Sequence, residues 1–272
     1  MDLICPICGS KLNTFDKSLV CSGHHCFDIA RQGYVNLLTV QQKHSLHPGD
    51  TRVQVLSRRA FLEAGYYAPI AEALIAAAKA LTVNSNEIRP SGELLDVGCG
   101  EGYYTQAAAE EGKDVYAFDM SKYALMKCAR RHPAIHAFAA SIYDLPLDEA
   151  CADMVMSIFA PFGADEFLRV LKPGGYVLKV EPAHDHLLEM KQVLYDQVYE
   201  NREAPQAYAG LTLRSEQVIR DRIIVQGQQM IHALFQMTPY FYRSPKAGAK
   251  RLRALEELDT RISFRLALYQ KQ

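Results

Sequence analysis

The sequence predicts an α/β fold: a doubly wound, mostly parallel sheet with a terminal antiparallel strand, preceded by a small amino-terminal module. Three observations carry this expectation. The apolar run Leu94-Leu95-Asp96-Val97 ends in alternating glycines, Gly98, Gly100 and Gly102, and a second run, Val115-Tyr116-Ala117-Phe118, ends in Asp119. Strands that end in such turns and lead into helices are the repeating units of a parallel sheet. Near the other end, Ile262, Phe264, Leu266 and Leu268 alternate with polar or small residues, the period of a half-buried antiparallel strand. At the start, Cys5-Pro6-Ile7-Cys8 is followed, after twelve intervening residues, by Cys21 and then by His24, His25 and Cys26.

That first group has the spacing of a zinc site. Zinc takes four soft or borderline donors at tetrahedral corners, and a Cys-x-x-Cys turn brings two thiolates to one metal. Cys21 and one of His24, His25 or Cys26 would complete the shell. The chain has seven cysteines, an odd number, and its start has neither a basic n-region nor an apolar h-region. A reduced, cytoplasmic setting with metal ligation is therefore expected in place of a disulfide framework. Cys99, Cys128 and Cys151 read as buried apolar thiols. Residues 1–45 are expected to form the zinc-binding module and 46–92 a helical bridge. Within the bridge, Arg52 to Leu81 reads as two helices broken at Gly65, and the polar stretch Thr82 to Gly92 as a loop.

Residues 93–272 are expected to form the sheet domain. Only glycine gives both the φ freedom and the bare backbone that a ligand-contacting turn after Val97 demands. A dinucleotide fingerprint would place the third glycine one residue later. Asp119 stands where an acid can accept hydrogen bonds from both hydroxyls of a ribose. Ser121 can cap a helix through Ala124, Leu125, Cys128 and Ala129. Then come Leu145-Pro146-Leu147, the strand-like run Met154-Val155-Met156-Ser157-Ile158-Phe159, and Val170-Leu171-Lys172-Pro173-Gly174-Gly175-Tyr176, which reads as a helix end, a turn and a new strand. In this order and spacing the pieces resemble the motif series of Rossmann-like methyltransferases dependent on S-adenosylmethionine (SAM).

The resemblance narrows over nearly the whole chain. Cys5-Pro6-x-Cys8, Cys21-x3-His25-x-Phe27-Asp28, Gly33-Tyr34-Val35-Asn36-Leu37-Leu38, His47-Pro48-Gly49-Asp50, Arg58-Arg59-x-Phe61-Leu62, Gly98-Cys99-Gly100-Glu101-Gly102-Tyr103-Tyr104-Thr105 and Gln236-Met237-Thr238-Pro239 together resemble the RlmA family of 23S rRNA guanine-N1 methyltransferases. The resemblance implies zinc held by Cys5, Cys8, Cys21 and His25. It implies methyl transfer from SAM to N1 of one guanine in a hairpin loop of domain II of 23S rRNA, by a homodimer. Two branches of the family modify neighbouring guanines, and one is linked to tylosin resistance. The cofactor residues expected are Tyr67, Asp96, Gly98, Gly100, Glu101, Gly102, Asp119, Ser141 and His186. Helix-start N–H groups at Gly100 and Glu101 could hold the methionine carboxylate. Ser141 stands where many methyltransferases carry an acid for the adenine amino group, a weaker acceptor in its place.

Composition is compatible with this reading. The chain has 272 residues, 49% of them hydrophobic, enough for a substantial core. No run approaches the ~20 apolar residues that span a bilayer. The net charge of −1 divides unevenly: residues 1–60 carry seven Lys/Arg against four acids, +3, and the remainder −4. A basic module beside an acidic enzyme domain suits a division in which one part grips phosphates. A second basic cluster, Arg243, Lys246, Lys250, Arg251 and Arg253, is spaced like a helix face. For the chemistry, Phe159 and Phe162 are candidates to stack on the base, and Glu181 or Asp165 to take the N1 proton. The alternative function is a small-molecule SAM-dependent methyltransferase acting on a quinone- or lipid-like substrate, against which the zinc module argues.

Overall fold

The computed structural model describes residues 1–42, 48–84, 93–198, 200–201 and 207–272. The amino-terminal segment is a three-stranded antiparallel sheet of β1 (Leu12–Phe15), β2 (Ser18–Cys21) and β3 (Cys26–Asp28). The short β4 (Val35–Asn36) leaves it to join the edge of the large sheet. Further contacts fasten the segment there: the Ile4 amide donates to the Pro146 carbonyl at 2.9 Å, and the Met1 ammonium lies 2.7 Å from Glu93 Oε1.

Two helices follow, α1 (Arg52–Glu63) and α2 (Ala68–Asn84), parted at Gly65 with φ +83°. A capping box starts α1: Thr51 Oγ1 accepts the Gln54 amide, and Gln54 Oε1 accepts the Thr51 amide at 3.0 Å. The loop expected from Thr82 begins later, because α2 continues to Asn84; residues 85–92 lie outside the described residues.

The sheet domain then runs β5 (Leu94–Val97), α3 (Tyr103–Glu110), β6 (Val115–Asp119), α4 (Lys122–Cys128), β7 (Ile135–Ala139), β8 (Ala152–Ile158), α5 (Ala164–Val170), β9 (Leu171–Pro182), α6 (Leu188–Leu194), β10 (Leu211–Gln226), α7 (Gln228–Gln236), α8 (Tyr240–Arg243), α9 (Lys246–Arg253) and β11 (Glu257–Lys271). Its strand order is β10-β11-β9-β8-β5-β6-β7-β4. The six strands from β9 to β4 are parallel, β11 is antiparallel to β9, and β10 is antiparallel to β11. The order reverses direction between β5 and β8, the place where open α/β sheets bind ligands at their carboxyl ends.

Two expectations change in detail. β11 is antiparallel as its alternation predicts, but it is buried on both faces instead of one. Ile262, Phe264 and Leu266 enter one core cluster, Ala267 and Tyr269 the other, and the long edge strand β10 covers its outer side. Pro173-Gly174-Gly175 does not separate a helix from a new strand. It lies inside β9 as an irregularity, where the register with β8 jumps from Ala152↔Leu171 to Met154↔Tyr176. Among the described residues no helix is long and apolar enough to cross a membrane.

Candidate cofactor and substrate cavity

A cavity of about 800 Å³ opens at the carboxyl ends of β5, β8 and β9. Its floor is the loop Gly98 to Glu101, one wall is Phe159-Ala160-Pro161 with Glu181, and Tyr67 and His186 lie on another. Asp50 and Arg58 reach in from α1 and its approach, and Thr238, Tyr240, Tyr242 and Arg243 also line it.

Packing explains why the floor needs glycine. A Cβ on Gly98, at φ +83°, would lie 2.4 Å from Ala160 Cβ, and one on Gly102, at φ +88°, 2.7 Å from Cys128 Sγ. Gly100 is different: at φ +55° it has nothing within 4 Å of where a Cβ would stand, so open space lies against bare backbone. Asp119 holds this loop in shape. Its Oδ2 accepts the Gly100 amide at 2.9 Å and its Oδ1 the Ser121 amide at 2.7 Å. Beneath the loop, Asp96 is buried and accepts the Thr105 hydroxyl at 2.5 Å; burial pushes its carboxyl up to about 7.

Unpartnered atoms gather on the cavity residues. Glu101 is 2% exposed and ion-paired to Arg131 through Oε2, yet its Oε1 has no partner among the described residues; Tyr104 Oη and Arg58 Nε are likewise buried and without a partner among them. Buried polar groups of this kind ordinarily have partners. A carboxylate oxygen, a phenol and a guanidinium N–H around an open glycine turn fit the zwitterionic end of an amino-acid-bearing ligand such as SAM.

Tyr67 packs edge-on against Phe61 and Phe264, with ring centroids 5.1 and 4.9 Å away. Its hydroxyl lies 3.3 Å from His186 Nε2, and His186 Nδ1 accepts the Ser263 amide at 3.2 Å. An Nδ1 that accepts leaves the proton on Nε2, which then donates to the phenolic oxygen. The phenolic proton remains for an acceptor in the cavity. Burial, with Lys191 nearby, pushes His186 down to about 3, so the ring is neutral.

Of the sequence-predicted site residues, Tyr67, Asp96, Gly98, Gly100, Glu101 and His186 line this one cavity. Gly102, Asp119 and Ser141 are not on its lining. Gly102 is the N-cap of α3 against α4, Asp119 braces the loop, and the Ser141 hydroxyl accepts the Tyr143 amide at 3.3 Å. Phe159 lines the cavity at φ +54°, an unusual backbone state for a bulky side chain. Phe162 does not: it packs away from the cavity on Tyr208 and Phe167, at 4.3 and 5.1 Å between centroids, with Lys179 Nζ 5.2 Å from its ring. Asp165 is exposed in the first turn of α5 and off the lining, whereas Glu181 is on it, bridging Lys179 at 2.6 Å and Arg265 at 2.7 Å.

Asp50 and Arg58, which pair at 2.7 Å, and the segment Thr238–Arg243 are cavity residues that no local pattern marks as such. The motifs that contain them were visible. Gly49 packs so closely on Ser121 that a Cβ would lie 2.7 Å from its amide nitrogen, and Ser121 Oγ donates to the Asp50 carbonyl at 2.6 Å. Pro48-Gly49-Asp50 is thereby locked over the end of β6. His47 lies outside the described residues.

At the other end of the chain, Cys5, Cys8, Cys21 and His25 place their ligand atoms within 4.8 Å of one another. Cys8 Sγ–Cys21 Sγ is 3.6 Å, Cys5 Sγ–His25 Nδ1 3.5 Å and Cys21 Sγ–His25 Nδ1 3.4 Å. The edges of a tetrahedral zinc site with Zn–S of about 2.3 Å and Zn–N of about 2.0 Å are roughly 3.5–3.8 Å. The donor set fits zinc. His24, in a left-handed turn at φ +60°, and the exposed Cys26 are not part of the group.

Comparison with known proteins finds matches for both parts of the chain. Residues 3–46 match the zinc-ribbon family described as RlmA, N-terminal, and residues 95–178 the family described as methyltransferase domain. A 23S rRNA (guanine(748)-N(1))-methyltransferase of Streptomyces fradiae is 38% identical over 71% of this chain and 67% of its own length. A Micromonospora griseorubida protein, provisionally named 23S rRNA (guanine-N(1)-)-methyltransferase, is 33% identical over 98% of this chain and 96% of its own. Among solved structures, a chain from the complex of the Haloferax volcanii Trm112 methyltransferase activator with a methyltransferase superposes with a TM-score of 0.50 at 15% identity, over 82% of this chain and 99% of that one, a likeness of fold.

Proposed function

The chain belongs to the RlmA family of 23S rRNA guanine-N1-methyltransferases, and from that premise we propose that it transfers a methyl group from SAM to N1 of a guanine in 23S rRNA. The observation that carries this reading is the pairing, in one chain, of a zinc ribbon with a glycine-floored cavity whose partnerless polar atoms suit an amino-acid end. We further place the target in a hairpin loop of domain II and the enzyme in the cytoplasm as a homodimer, as the resemblance implies. A small-molecule substrate would leave the ribbon without a task.

Cys5, Cys8, Cys21 and His25 would hold zinc, which would fold a segment too short for a core of its own. SAM, when bound, supplies a methyl group already activated on a sulfonium. The protein's part is then to hold two partners in line and to manage one proton. With SAM bound, Glu101 Oε1 would accept from its amino group and the Tyr67 hydroxyl would donate to its carboxylate. Gly100 supplies bare backbone.

A guanine must leave its stack to reach such a cavity. Its N1 carries a proton at neutral pH, so an acceptor is needed at that edge. Glu181 is the carboxylate we assign to this task, because it lines the cavity beside Phe159. Lys179 and Arg265 fix its orientation. The test is nucleoside analysis of 23S rRNA incubated with the protein and SAM: 1-methylguanosine should appear. Transfer to another position, or none, rejects the reading.

A further inference from the structure

The α8–α9 arm carries four cations with no role in holding the cofactor. Lys246, Lys250 and Arg253 fall at i, i+4 and i+7 of α9 and so share one face, and Arg243 precedes them at the cavity lining. All four are exposed, and none has an ion-pair or hydrogen-bond partner among the described residues. Arg251, on the flank, is instead tied to the Val193 carbonyl and to Asp196. In a chain of net charge −1, this is a local concentration of unpaired positive charge.

Beside Arg243 stands Tyr242, 65% exposed, its ring meeting Phe241 edge-on at 5.1 Å and leaving the rest of its surface to solvent. An exposed aromatic next to free cations is the combination that single-stranded nucleic acid engages: bases stack on the ring while phosphates meet the charges. The arm is also a firm support. Gly248 presses so closely on α6 that a Cβ would lie 1.9 Å from the Leu194 carbonyl oxygen; Leu252 is fully buried, and Phe241 packs on Phe235 at 5.3 Å.

We infer that the α8–α9 arm is the docking surface for the RNA strand flanking the target guanine. Tyr242 stacks on a base at the cavity mouth, and Arg243, Lys246, Lys250 and Arg253 follow the phosphates away from it. This rests on the rRNA reading above and assigns the substrate's path, which that reading leaves open.

The test uses the full-length protein, unmodified 23S rRNA and SAM, with KM for RNA measured over a range of KCl concentrations. S-adenosylhomocysteine affinity, measured by calorimetry, reports folding of the cofactor site. The triple variant K246E/K250E/R253E should raise KM at least about tenfold and reduce the slope of log KM against log [KCl] by about two, since each lost single-strand phosphate contact removes roughly 0.7. Tyr242→Ala should raise KM about tenfold with the slope retained. If the triple exchange disturbs folding, the neutral pair K246Q/K250Q carries the same test with a slope change of about 1.4. Wild-type KM and slope in these variants, with homocysteine-nucleoside affinity intact, overturn the assignment. Absence of transfer by the wild-type protein instead overturns the rRNA reading, and this inference with it.

Discussion

The hydroxyl of Tyr67 lies 3.3 Å from Nε2 of His186, and the other nitrogen of that ring is committed to the Ser263 amide at 3.2 Å. The relay joins three distant parts of the chain: the turn between α1 and α2, the segment after β9, and the interior of β11. It fixes the tautomer of the histidine and so the direction in which the phenol donates. Tyr67→Phe should therefore weaken binding of S-adenosylhomocysteine by about tenfold, the equivalent of ~1.4 kcal/mol for a hydrogen bond to a charged group, with little change in Tm. Calorimetry checks this; unchanged affinity would remove Tyr67 from the cofactor site.

The same histidine makes a pH prediction. Buried and neutral, His186 resists protonation down to about 3, against an ordinary value of 6.5. Below pH 6.5 an unfolded chain takes up a proton that the folded ring refuses, so this stabilising contribution is complete above 6.5 and declines as the pH falls towards 3. His186→Gln should flatten the loss of stability between pH 6 and pH 4 in denaturant titrations. An equally steep decline in the variant would assign the acid sensitivity to other groups.

Asp96 acts with the opposite sign. Its folded value of about 7 stands above the ordinary 3.8 because of burial, so its contribution is complete below about pH 4 and is lost as the pH rises to 7. Asp96→Asn keeps an acceptor for the Thr105 hydroxyl and cannot ionise. The variant should gain Tm relative to wild type at pH 8, by a few °C, and gain little at pH 4. A uniform shift at both pH values would contradict this assignment.

The glycine floor gives a packing prediction. Gly98→Ala sets a Cβ 2.4 Å from Ala160 Cβ and a side chain at φ +83°. Either relaxation, of the floor or of the loop after β8, distorts the cavity, and a destabilisation of about 2 kcal/mol or more is expected. Thermal unfolding and cofactor binding both report it. Gly100→Ala should be milder for stability, since no atom stands in its way, while still weakening cofactor binding.

At the amino terminus, Cys21→Ser should reduce bound zinc from one per chain to near none and lower Tm by more than about 5 °C. The ribbon exits through β4 into the sheet edge, so its loss exposes β7. Metal analysis with thermal unfolding decides the matter; full zinc occupancy in the variant would contradict the four-residue ligand set.

Legibility in the sequence followed the range of the interactions. The strand that ends at Gly98, the one that ends at Asp119 and the Ser121 cap were readable because each depends on neighbours within a few residues. The full burial of β11 was not, because β10 approaches from far upstream and its own sequence, Leu211 to Gln226, is mostly polar and exposed. Phe162 packs away from the cavity for a related reason: an aromatic just after a strand can turn to either face of the sheet, and Tyr208 and Lys179 decide the matter. Cys26 and His25 are equivalent by counting, whereas the pairing of β2 with β3 turns only His25 towards Cys5 and Cys21. The Thr238–Arg243 side of the cavity comes from helices inserted between β10 and β11, a placement that no local period encodes.

Methylation of guanine N1 is tested by primer extension on unmodified 23S rRNA after incubation with the protein, with and without SAM. N1-methylguanine cannot pair and halts reverse transcriptase. One SAM-dependent stop is expected, at a single loop guanine of domain II, and it should disappear in Glu101→Gln. Uninterrupted extension through domain II by a protein that binds S-adenosylhomocysteine would contradict that methylation.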